Sequence, residues 1–70
     1  DWHKIELGKH GVIIKQGGRS GVFLPQVATE TGWTLEEFLS ELCWQKARLA
    51  PTCYKDKNTQ ILTFTAQVFK

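Results

Sequence analysis

Four side chains around residue 34 narrow the local structures open to this chain. Thr34 stands just ahead of an apolar-periodic run, and Glu37 follows three residues on. That is the capping-box spacing: the Thr hydroxyl accepts from the backbone N–H three residues ahead, and the Glu carboxylate reaches back to the N–H of the cap. Trp33 before the cap and Phe38 four residues after it supply a hydrophobic staple. Glu36 and Glu37 lie at the positive end of the helix dipole, with Lys46 and Arg48 at the negative end. Leu35, Phe38, Leu39, Leu42, Cys43 and Leu49 recur at i, i+3, i+4 spacing and predict a single apolar face. Pro51 stops the helix.

The flanks are punctuated as clearly. Pro25 suits the first position of a helical turn and Gly32 the position past its end, which predicts a short helical segment over Gln26–Thr31. Further upstream, Ile5-Glu6-Leu7 alternates and predicts a short strand, followed by a turn at Gly8-Lys9-His10-Gly11. Val12-Ile13-Ile14 is β-branched and apolar on both faces, the pattern of an interior strand. Gly17-Gly18 separates it from Gly21-Val22-Phe23-Leu24 and predicts a β-hairpin. Downstream, 52–59 is a polar loop. Leu62, Phe64, Ala66 and Val68 then alternate with Thr63, Thr65 and Gln67, a half-buried strand with one wet face. The order β-β-β-α-α-β predicts an α+β fold. Its antiparallel sheet contains the hairpin, and the helical turn and one amphipathic helix pack on one face.

Seventy residues hold one small domain at most. The net charge is +2 and the nine Lys and Arg are scattered, which argues against a nucleic-acid partner. No apolar run reaches the roughly 18 residues of a membrane span, so no membrane association is expected. The chain lacks Met and opens Asp1-Trp2-His3 straight into strand-like residues, as a piece of a longer polypeptide would. Two cysteines, Cys43 and Cys53, make no disulfide framework and read as reduced thiols of a cytoplasmic protein. Together with His3 and His10 they match no zinc spacing, so no metal is expected.

Several residues exceed what packing requires. At 100° per residue Lys46 falls near the centre of the apolar helix face, between Leu39 and Leu42. Either it snorkels out and bonds the last carbonyls, or it is itself a cation held against a cleft or paired with a carboxylate from outside this chain. Trp44 falls on the opposite side, and Trp44 and Trp33 are the interface candidates. Gly17-Gly18-Arg19-Ser20-Gly21 lacks the phosphate-loop pattern and joins two strands, so it reads as a hairpin turn, with Arg19 available to an anion. Gln26 follows Pro25 at a helix start, where free N–H groups and a side-chain amide can meet a ligand. His10 lies between glycines in the predicted turn; acting as a base, it would need a partner that spacing does not supply. Gln26, Lys46 and His10 are therefore the ligand-cleft candidates. No Ser-His-Asp or Cys-His arrangement emerges, and catalytic residues and cofactor are left open.

Gly8, Gly11-Val12, Gly17-Gly18, Leu24-Pro25-Gln26-Val27, Gly32-Trp33, Glu36-Glu37-Phe38-Leu39, Cys43, and Lys46-Ala47 with Leu49 occur in one order. In that order the chain resembles the AMMECR domain family over about residues 5–70. Arg48 departs from the family's usual Gly, and the motif L-R-G-C-[IT]-G is absent. The resemblance implies that 1–70 is the C-terminal part of a single two-subdomain α/β domain whose N-terminal part is missing. It implies a cleft for ligand binding or catalysis, completed by that missing part, with Gln26 and Lys46 on its wall. The alternative is a non-catalytic protein–protein interaction module using Trp44. Implied partners are the missing N-terminal part or a second chain, and Memo-like or radical SAM proteins of a shared pathway.

Overall fold

A computed structural model describes residues 2–65. The sheet has three strands, β1 (His10–Gln16), β2 (Arg19–Phe23) and β3 (Gln60–Thr65), in the order β2-β1-β3, all antiparallel. The apolar β1 is thus the central strand. Val12 pairs with Phe23 and Thr63, and Ile13 with Val22 and Leu62. A two-residue turn at Gly17-Gly18 closes the hairpin, with Gln16 paired to Arg19. Two short helices, α1 (Pro25–Thr31) and α2 (Leu35–Glu41), follow. The predicted α+β class, the hairpin and the short helix before Gly32 are all present.

The capping box forms as its spacing requires. Thr34 Oγ1 accepts from the Glu37 amide at 3.2 Å, and Glu37 Oε1 accepts from the Thr34 amide at 2.9 Å. Trp33 and Phe38 each pack on Phe23 of β2 with tilted rings, at 6.1 and 5.1 Å between ring centroids. The staple is thereby tied into the sheet. Val12, Ile14 and Phe23 from one face of the sheet meet Phe38, Leu39, Leu42 and Cys43 from the helix in one buried core.

Four expectations need correction. Ile5-Glu6-Leu7 is not a strand. Trp2–Lys4 is a 3₁₀ turn, and the Lys9 and His10 amides both donate to the Glu6 carbonyl, which curls the segment. Ile5 still reaches the core as a single buried anchor. Second, α2 does not run to Leu49. It ends at Glu41 and widens into a π turn over Leu42–Lys46, where the Ala47 amide donates to the Leu42 carbonyl five residues back at 3.0 Å. Third, Cys43 and Cys53 are not free thiols. They are disulfide-bonded to each other, which also removes them as thiolate ligands for a metal. Their separation of ten in sequence hides how the loop folds back: Ser40 Oγ donates to the Pro51 carbonyl at 2.8 Å, and Cys53–Lys55 forms a further 3₁₀ turn. Fourth, in β3 the register sets Ile61 beside Ile14 on the core side, so Leu62 falls on the opposite side of the sheet. Leu62 is exposed and Phe64 half-buried. The predicted Ala66, Gln67 and Val68 lie outside the described residues.

The π turn can sit on β2 because Gly21 has no side chain. A Cβ there would lie 2.6 Å from the Ala47 amide nitrogen and 2.6 Å from Lys46 Cβ. Among the described residues no helix is long and apolar enough to cross a membrane.

Gly21→Ala should therefore destabilise the chain by about 2 kcal/mol, since the clash is with backbone as well as side chain. A thermal melt should show a fall of roughly 10 °C. Reduction of the Cys43–Cys53 bond, which closes a ten-residue separation, should cost about 2–3 kcal/mol. The check is a urea titration with and without dithiothreitol.

Candidate functional site

Phe23, the last residue of β2, is the hub on which the candidate residues can be placed. Its ring meets Trp33 and Phe38, and the Lys46 ammonium lies 6.0 Å from its centroid. That distance is at the outer limit of a cation–π contact. The stem of Lys46 runs over Gly21. Lys46 is exposed, so the widened turn takes it away from the centre of the buried helix face where uniform 100° spacing sets it. The charged end reaches solvent while its stem covers the strand, as snorkelling requires. No carboxylate pairs with it among the described residues.

Gln26 lies three residues beyond Phe23, in the first turn of α1, and is exposed. Its backbone carbonyl accepts from the Thr29 hydroxyl at 2.9 Å. His10 starts β1, and its Nδ1 accepts from the Glu6 amide at 3.0 Å. That bond fixes the imidazole within the curl ahead of the strand. The register sets Val12 against Phe23, so His10 belongs to the same end of the sheet as the start of α1. Among the described residues no hydrogen bond or ion pair links Gln26, Lys46 and His10 to one another.

Of the interface candidates, Trp33 is half-buried against the core. Trp44 is 61% exposed. It stands on the π turn and, with Gln45 and Arg48, lines an open groove of about 380 Å³. Gln45 is bonded to Glu41 one turn back at 2.6 Å.

Two features escaped the sequence reading. One N–H of the Arg19 guanidinium donates to the Arg48 carbonyl at 3.1 Å and ties the hairpin to the segment just past the π turn, while the side chain stays exposed. Arg48 itself has φ +59°, a left-handed backbone in a non-glycine residue. The Leu49 amide then bonds back to the Cys43 carbonyl at 2.8 Å and closes the turn. The usual Gly at this position in the resembled family was the available signal. Among the described residues no group of His, Cys, Asp or Glu is placed to hold a metal ion.

Comparison with known proteins agrees with this architecture. The AMMECR1 family model matches residues 1–69. A Pyrococcus furiosus protein is 49% identical over 67 residues, which is 96% of this chain and 31% of that protein. An Aquifex aeolicus protein is 46% identical over 96% of this chain and 34% of its own length. The crystal structure of an uncharacterized protein from Pyrococcus horikoshii superposes with a TM-score of 0.86 at 48% identity. That match covers 91% of this chain and 31% of the other. The chain thus spans about a third of the length of these relatives.

Replacing Arg48 by Gly should relieve the left-handed strain and stabilise the chain by about 1 kcal/mol. The Arg19 bond, made to a backbone carbonyl, survives the change. A rise of several degrees in the melting temperature is the expected reading.

Proposed function

This chain belongs to the AMMECR1 family, and from that premise we propose that it forms one wall of a ligand-binding cleft. The remaining two thirds of a family member's length complete that cleft. The observation that carries the reading is Lys46: an exposed cation 6.0 Å from the centre of the Phe23 ring, its stem over Gly21, with no carboxylate partner among the described residues. Such a group suits an anionic small molecule, and the exposed Gln26 amide adds a polar contact at the neighbouring helix start. The role assigned to this chain is binding; nucleophile and base, where the whole protein has them, belong to the rest of the polypeptide. The proposed compartment is the cytoplasm. The Cys43–Cys53 bond removes reduced thiols as an argument for that compartment.

A second reading has its own observation. Trp44 is 61% exposed beside an open groove, and exposed tryptophans serve as interface anchors. On that reading the chain is a protein–protein interaction module.

The two separate in a chimera that carries this chain in place of the matching third of the Pyrococcus furiosus relative. Inorganic phosphate, sulfate, citrate and ATP are tested for a concentration-dependent rise in melting temperature, as ligand linkage requires. Binding at the cleft predicts a rise with at least one anion, lost in Lys46→Met and kept in Trp44→Ala. The absence of any rise, or a rise untouched by Lys46→Met, would contradict it. The interaction module predicts that Trp44→Ala abolishes capture of a protein partner that Lys46→Met still captures.

A further inference from the structure

The helices and the disulfide loop cover one side of the sheet. The other side carries a continuous apolar row. Register partners in antiparallel strands point to the same face, so Val22, Ile13 and Leu62 line up across β2, β1 and β3. Phe64 joins them two residues past Leu62. Its ring lies on the β1 backbone: a Cβ at Gly11 would come within 2.2 Å of it, so that end of the face is low and level. Leu24, two residues on from Val22 in extended backbone, extends the row. Of the four large apolar residues exposed among the described residues, Val22 (46%), Leu24 (45%) and Leu62 (46%) belong to this face, and Trp44 is the fourth. Lys15, Ser20 and Gln60 form the next row and set a polar border.

We infer that this sheet face is a buried interface in the whole protein, and that its occupant is an apolar layer from the remaining two thirds of an AMMECR1-family polypeptide. Two observations name that occupant. The central strand carries large apolar side chains on both faces, Val12 and Ile14 on one and Ile13 on the other, and among the described residues only the first face is covered by helix. The relatives also run about three times the matched length, so the same polypeptide holds ample chain to form the second layer. The inference goes beyond the cleft reading and shares with it only the family membership. It concerns Val22 and Leu62, on the side of the sheet away from Lys46, so either can fail without the other.

The test is residue-specific thiol labelling of Val22→Cys and Leu62→Cys, read by peptide mass. Each is made in the 70-residue chain alone and in the chimera with the Pyrococcus furiosus relative, with Trp44→Cys as the exposed reference. A second chimera on the Aquifex aeolicus relative covers failure of the first to fold. The expected result is labelling at positions 22 and 62 at least tenfold slower in the chimera than in the isolated chain. Equal rates in the two would overturn the inference. So would protection in the isolated chain that grows with concentration and sediments as twice its mass, because a second copy would then be the occupant.

Discussion

The close seating of the Leu42–Lys46 turn on the backbone at Gly21 governs most of what the chain presents. Only a residue without a Cβ lets the turn approach this near. The π widening carries Cys43 inward toward Cys53, leaves Trp44 facing solvent, and sends Lys46 across β2 to Phe23. Arg19 then reaches from the hairpin to the Arg48 carbonyl and holds the end of the turn. A uniform α-helix through residue 49 would disperse these groups. The left-handed Arg48 and the widened turn are local strain that the packed core and the disulfide together hold in place.

Much of this was legible in the residues themselves. The capping box, the stop at Gly32 and the Gly17-Gly18 hairpin are local devices whose chemistry is complete within four or five residues, and each forms as read. The misreadings were non-local. Ile5-Glu6-Leu7 has strand-like alternation, yet the Glu6 carbonyl captures two amides and His10 captures a third, and among the described residues no strand pairs with the segment. The two cysteines are ten apart, a spacing that matches no framework. Only the fold-back of the loop, fixed by Ser40 on Pro51, reveals that they meet.

The candidate site was legible in kind and less so in place. Lys46 was singled out because a lysine fell on the apolar helix face; it is exposed because the helix changes pitch four residues earlier. Trp44 was singled out as the aromatic on the wrong side, and it is exposed. For β3 the alternation was read correctly while the side was not, since which face of a strand is covered depends on register with its neighbour. That reversal leaves the helix-free face of the sheet apolar, in a chain spanning a third of its relatives' length.

The seating of the π turn on Gly21 can be measured directly by proton NMR of the 70-residue chain. The account requires a strong nuclear Overhauser effect between the Gly21 α-protons and the Ala47 amide, with the Lys46 ε-methylene shifted upfield by the Phe23 ring. Absence of both, with i to i+4 helical connectivities running unbroken from Leu42 through Arg48, would contradict it.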